Sequence, residues 1–182
     1  MRRGLNLIYN ASGAVAAFCI ASIVAIVFAQ VCLNLIDRIA ALTTGKAIGL
    51  TIPSYSDFTG YFLAASTFLA LAYSLRAGGH IRVTLVTGHL NEKLRRWVEA
   101  AVLLIALGLV GFATWYVVLL VVESIEFGDR TSGMVSIPLW IPQLPVAIGL
   151  AILTLALADE LVGNLMGRPA SYDDTDANLL SE

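Results

Sequence analysis

The sequence predicts an all-α integral membrane protein with four transmembrane helices, a cytoplasmic interfacial amphipathic segment and both termini in the cytoplasm. Of its 182 residues, 58% are hydrophobic and only 13% are charged, whereas about 25% are charged in a typical soluble domain. Polar side chains are therefore too few to cover a globule in water. The charged residues also cluster in short segments, which separate long uncharged stretches from one another.

The first span is predicted at about residues 11–36. No charged residue occurs from Leu5 to Ile36, a stretch that would measure about 48 Å as a helix, against a hydrocarbon core of about 30 Å. A cleaved signal peptide is the alternative, because Arg2 and Arg3 precede the apolar run. The length of the run and the lack of a clean small-residue cleavage site disfavour that alternative.

Small residues recur at every fourth position of this first span, which places them in one line along a helix. They are Gly13, Ala17, Ala21, Ala25 and Ala29. In lipid, a ridge of small residues lets another helix backbone approach closely. The ridge is a candidate helix-packing surface for the protein's own helices or for another subunit, and the alternative is chance spacing in an alanine-rich helix.

The second and third spans are predicted at about residues 58–75 and 100–122, because charged residues bound an uncharged stretch in each case. With the first and fourth spans they form one membrane domain over residues 1–165. The remaining residues, 166–182, are acidic and are expected to form a disordered cytoplasmic tail.

The fourth span is predicted at about residues 142–163, and a cluster of prolines occupies its start: Pro138, Pro142 and Pro145. Proline is tolerated in the first turn of a helix and disrupts the helix further in. We therefore expect the regular helix to begin near Pro142–Pro145, with residues 136–142 forming a turn or a short separate piece.

The orientation follows from the lysines and arginines of the connecting segments. Eight of them lie in the N-terminal segment, the 76–97 loop and the tail, and three lie in the 37–57 and 123–138 loops. Because the side of the membrane richer in these residues is cytoplasmic, we expect both termini inside, in the cytoplasmic membrane of a bacterium.

The loop between the second and third spans is amphipathic. Its apolar residues recur three or four positions apart, which favours a helix lying in the membrane interface with its bases toward lipid headgroups. A solvated connector held by a Glu92–Arg96 pair is the alternative. The residues predicted to anchor the protein at the lipid interface are Arg76, His80, Arg82, Lys93, Arg95, Arg96, Trp97 and Trp140.

The predicted spans lack the groups that membrane chemistry requires. No acidic, basic or histidine residue lies at the centre of a span, whereas ion paths and proton relays use such residues. Cys19 and Cys32 lie about 20 Å apart on one helix, too far for a disulfide. We therefore expect no catalytic, substrate-binding or metal site and no cofactor, and the net charge of −2 suggests no nucleic-acid partner.

Two motifs resemble those of a known family. Residues 76–83 read RAGGHIRV, and residues 128–132 (GDRTS) precede IPLWIP at residues 137–142. Over about residues 5–165 the chain resembles the small, DctQ-like membrane subunit of tripartite ATP-independent periplasmic (TRAP) transporters. The first motif is fairly specific, and the proline–tryptophan block supports it.

The resemblance implies a non-catalytic subunit. In that family, a periplasmic binding protein delivers a small organic anion to a large multi-span subunit, which moves it by a sodium-driven elevator motion. The small subunit packs on the static scaffold of the large one. Arg76, His80 and Arg82 would then have structural roles, toward helix carbonyls, headgroups or partner carboxylates. The alternatives are a membrane-embedded redox or enzymatic module and a self-assembling tetraspan structural protein.

Overall fold

The computed structural model describes residues 2–77 and 92–166, which form four long helices. These are α1 (Arg2–Thr44), α2 (Tyr55–Arg76), α3 (Glu92–Glu126) and α4 (Trp140–Leu165). Each is long and apolar enough to cross a membrane, which confirms the predicted four-span, all-α fold. The predicted acidic tail and most of the interfacial segment lie outside the described residues.

The four helices pack as an open row. Helix α1 packs on α2, α2 on α4, and α4 on α3, while α1 makes only a small contact with α4. Within its most apolar stretch, 33% of α4 is buried, compared with 6% of α3. Helices α2 and α4 are therefore central and run parallel, whereas α1 and α3 flank them and expose broad apolar surfaces.

Small side chains form the seam between α1 and α2. Ala16 and Cys19 of α1 are buried with Ala65 and Leu69 of α2. Near them, the Ser12 hydroxyl donates a hydrogen bond to the Leu69 carbonyl. Helices in lipid gain little from hydrophobicity, so close packing and hydrogen bonds of this kind hold them together.

The central seam between α2 and α4 brings two backbones into contact. A Cβ atom on Gly149 would lie 2.5 Å from the carbonyl carbon of Phe68, so no side chain fits there. Ala72 and Ala156 are fully buried along the same seam. On the other side of α4, the hydroxyls of Thr114 and Thr154 join it to α3 with a 2.9 Å hydrogen bond.

Helix α4 begins at Trp140, two residues before the predicted span. Its start is fixed by the preceding loop, because the Leu139 N–H donates to the Asp129 carbonyl at 2.9 Å. Pro142 falls in the first turn, where a missing N–H removes no helical bond. Pro145 lies inside the helix, so the expectation that proline would delay the helix to residues 142–145 was wrong.

Helix α1 is much longer than its neighbour. The segment after it folds back along α1: the Ile52 N–H donates to Oε1 of Gln30 at 2.8 Å, and the N–H groups of Ile48 and Gly49 donate to Oδ1 of Asp37 at 2.6 and 2.8 Å. Helix α2 therefore starts near the level of Gln30, about two-thirds of the way along α1. Residues 31–44, called the α1 arm below, extend about 20 Å beyond that level.

Candidate functional site

The ion pair between α2 and α4 lies at one end of the row, called the termini end here. This end is formed by the first turns of α1 and α3 and the last turns of α2 and α4. The opposite end, called the loop end, is formed by residues 45–54 and 127–139. Because α2 and α4 are parallel, both present their free C-terminal carbonyls at the termini end, where basic side chains are favoured.

Arg76, the last residue of α2, joins three helices at the termini end. Its Nη2 forms an ion pair with Asp159 of α4, and its Nη1 donates to Oδ1 of Asn6 of α1 at 2.8 Å. Its guanidinium carbon also lies 4.8 Å from the centre of the Tyr9 ring, a favourable cation–π distance. One side chain thereby fixes the spacing of α1, α2 and α4.

Arg96 performs a related role for α4. Its Nε and Nη2 donate to the carbonyls of Asn164 and Leu165, each at 2.8 Å. These are among the last carbonyls of α4, which have no partner within the helix. The Asn164 amide in turn donates to Glu99 of α3 at 3.2 Å. Arg96 thus caps α4 and ties it to the start of α3.

The structure separates the predicted interface residues. Arg76, Arg96 and Trp97 lie at the termini end, and Trp97 is 74% exposed. Trp140 lies at the loop end, half-buried in the first turn of α4. His80 and Arg82 lie outside the described residues, as do the side chains of Lys93 and Arg95.

The small-residue ridge of α1 faces away from α2 over most of its length. Gly13 is half-buried, and a Cβ there would lie 2.8 Å from Cγ of Tyr73. Ala17, Ala21, Ala25 and Ala29 are all exposed. The buried face of α1 is a different stripe, which the sequence analysis missed: Tyr9, Ser12, Ala16, Cys19 and Gln30.

Sequence reasoning also missed the partners of Arg76. Asn6, Tyr9 and Asp159 are far from Arg76 in the chain, and no local spacing connects them to it. The one available signal was the placement of Asp159 and Glu160 at the end of an apolar stretch. Across residues 2–77 and 92–166, no three histidine, cysteine, aspartate or glutamate side chains group as a metal site.

Comparison with family models gives a match over residues 23–167. The matching family is described as "Tripartite ATP-independent periplasmic transporters, DctQ component". The chain belongs to this family. It is therefore a small permease component of a TRAP transporter and a multi-pass inner-membrane protein. Neither the curated proteins nor the solved structures gave a match to the sequence.

The DctQ match covers the ion pair but not all of the site. Arg76, Arg96 and Asp159 lie inside residues 23–167, whereas Asn6 and Tyr9 lie before them. In general terms, a DctQ component works with a large membrane subunit, DctM, and a periplasmic binding protein. The membership favours a transporter subunit over a redox module or a self-assembling tetraspan protein.

Proposed function

We propose that this DctQ component is a non-catalytic scaffold subunit of a sodium-coupled TRAP transporter. It packs on the stationary part of the large membrane subunit and supports elevator-type uptake of a small organic anion, which a periplasmic binding protein delivers. The observation that carries this proposal is the open row of helices in a chain of the DctQ family. An elevator requires a fixed scaffold while another domain slides, and a row of helices widens that scaffold within the bilayer.

The exposed surface of the row is evidence for a partner subunit within the membrane. A closed four-helix bundle would bury one face of every helix, but here α1 and α3 each contact a single principal neighbour. Their outer faces carry large exposed side chains such as Phe18, Phe28 and Phe112. Such faces are compatible both with lipid and with helices of another subunit.

The α1 arm favours a partner protein that extends beyond the surface of the membrane. The uncharged part of α2, between Asp57 and Arg76, spans about 27 Å, close to the hydrocarbon thickness of about 30 Å. The arm extends beyond the start of α2 and keeps Val31, Leu35 and Leu42 exposed. An apolar stripe beyond the bilayer favours a protein contact, and continuity with the buried membrane portion of α1 favours an integral membrane protein.

We further propose that the termini end faces the cytoplasm. The excess of lysine and arginine in the segments at that end supports this orientation. A reporter enzyme that is active only in the cytoplasm should be active when it is fused after Leu180. A periplasmic reporter active at the same fusion point would contradict the proposed orientation.

Reconstitution tests the transport role. Liposomes should contain the large subunit with or without this chain, and the external solution should contain the binding protein with its labelled ligand. We expect uptake under an inward sodium gradient only when both membrane subunits are present, and none with an equal potassium gradient. Sodium-driven uptake by this chain alone would show that it is not a scaffold.

A further inference from the structure

A cleft of about 310 Å³ opens between α1 and α2 at the termini end. Its walls include the side chains of Asn6, Tyr9, Asn10, Tyr73 and Arg76, and each carries a hydrogen-bonding group. The cleft lies where the uncharged stretch of α2 ends. It is therefore at the depth of the boundary between hydrocarbon and water, where phospholipid headgroups reside.

Two buried donors in the walls of this cleft have no hydrogen-bond acceptor within the described part of the chain. They are the Tyr9 hydroxyl and Nε of Arg76, and Tyr9 is only 2% exposed. A buried donor without a partner costs about 1–3 kcal/mol. Two such donors on contacting side chains point to one acceptor group that both can share.

The surrounding contacts hold these donors in place. Asn6 and Asp159 each accept a hydrogen bond from one Nη atom of Arg76, while its buried Nε–H has no acceptor. The Tyr9 ring lies against the same guanidinium. Tyr73, on the opposite wall, packs against Gly13, where a Cβ would lie 2.8 Å from the Tyr73 ring. The width of the cleft is thus set by backbone and ring contacts.

We propose that this cleft binds a phosphate group, that of a membrane phospholipid headgroup. The Tyr9 hydroxyl and Nε of Arg76 donate to the phosphate oxygens, and the exposed amides of Asn6 and Asn10 complete the mouth of the site. Hydrogen bonds to an anionic oxygen are about twice as strong as neutral ones.

Hydrogen bonding, and not net charge, determines the selectivity of this site. Asp159 already neutralises Arg76, and the buried Glu160 adds a second negative charge that acts on Tyr9, so the cleft has no long-range attraction for anions. We therefore expect zwitterionic phosphatidylethanolamine to bind about as well as anionic phosphatidylglycerol. Diacylglycerol, which has the same acyl chains and no phosphate, should not bind in the cleft.

The variant Tyr9→Phe tests the proposal, because it removes the hydroxyl and keeps the ring that contacts Arg76. The control is Tyr116→Phe on α3, where the tyrosine is exposed. The purified full chain is titrated with each lipid and with inorganic phosphate, and binding is measured by native mass spectrometry and thermal stability. We expect Tyr9→Phe to weaken phospholipid binding at least tenfold and Tyr116→Phe to leave it unchanged.

Thermal stability without lipid verifies that the variant folds. Because the Tyr9 hydroxyl has no acceptor for its hydrogen, Tyr9→Phe should be about as stable as the unchanged chain in lipid-free detergent. Protection by inorganic phosphate that depends on Tyr9, without any by phospholipid, would uphold the phosphate site and overturn its assignment to lipid. Equal binding of diacylglycerol, or unchanged phospholipid affinity in Tyr9→Phe, would overturn the proposal.

Discussion

The two ends of the row are stabilised by different chemistry. At the termini end, the arginines Arg76 and Arg96 reach between helices to a carboxylate and to carbonyls. At the loop end, side-chain oxygens accept hydrogen bonds from loop N–H groups. Three of these acceptors are neutral: Gln30 accepts from Ile52, Ser54 from Val135 and Thr131 from Ile137. The Asp37 carboxylate accepts from Ile48 and Gly49. Basic donors from arginine hold one end together, and side-chain oxygen acceptors hold the other.

The direction of the two central helices explains this difference. Helices α2 and α4 both begin at the loop end and both finish at the termini end. The start of a helix and its flanking loop have free N–H groups, which need acceptors. The finish has free carbonyls and a partial negative charge, which favour arginine. The same arginines add to the positive charge at the termini end, which we propose to be cytoplasmic.

The largest expected effect on the free energy of unfolding comes from the seam between α2 and α4, which connects the two ends. In Gly149→Ala, the new methyl group would overlap the backbone of Phe68, which cannot move as a side chain can. We expect the free energy of unfolding to fall by about 3 kcal/mol, measured by thermal or denaturant unfolding in detergent. Gly111→Ala on α3, where nothing lies within 4 Å, is the control and should not be destabilising. Equal stability of the two variants would mean that α2 and α4 do not pack this closely.

A smaller loss is expected at the loop end from Gln30→Leu. This change removes the acceptor of the Ile52 N–H and the donor to Thr51, and Gln30 is buried. We expect a loss of about 2 kcal/mol. Because no ion pair is involved, the loss should be the same at low and high salt. Asn34→Leu removes only the bond that Gln30 donates to an exposed partner one turn away and should cost clearly less, and an equal cost would show that the return segment is not held by Gln30.

At the termini end, Asp159→Asn leaves the partly buried Arg76 without its carboxylate. The pair is neither fully buried nor exposed, so we expect a loss of about 1–2 kcal/mol. In contrast to Gln30→Leu, this loss should shrink as salt is raised, because screening weakens the lost attraction. Asp129→Asn at the loop end is the control, since its carboxylate is exposed. A salt-independent loss would mean that the Arg76–Asp159 ion pair does not stabilise the termini end by charge attraction.

The smallest effect is expected for Arg96→Gln, which removes the cation from the C-terminus of α4. The bonds to Asn164 and Leu165 lie at an exposed site, so we expect a loss of about 0.5–1 kcal/mol. Arg130→Gln at the loop end should change the unfolding free energy by less. Hydrogen exchange of the last turn of α4 would detect the change locally, and unaltered exchange there would contradict the capping role of Arg96.

The sequence predicted the number and type of elements well because lipid imposes a strong constraint on them. A span must be long, uncharged and helical, so charged residues such as Asp57 and Arg76 mark its limits directly. The RAGGHIRV motif pointed to the family that the comparison confirmed. The start of α4 was predicted less well, because the hydrogen bonds of the 127–139 loop set that start and the proline pattern does not.

The sequence by itself therefore determined four membrane helices, their approximate limits and membership of a TRAP transporter family. Only the tertiary structure decided the row order α1–α2–α4–α3, the outward direction of the alanine ridge and the pairing of Arg76 with Asp159. The physical reason is that a helix in lipid is apolar on every side, so hydrophobicity does not distinguish the packed face from the exposed one. That choice depends on small contacts and single hydrogen bonds between residues distant in the chain, such as Gly149 beneath Phe68 and Ser12 beside Leu69.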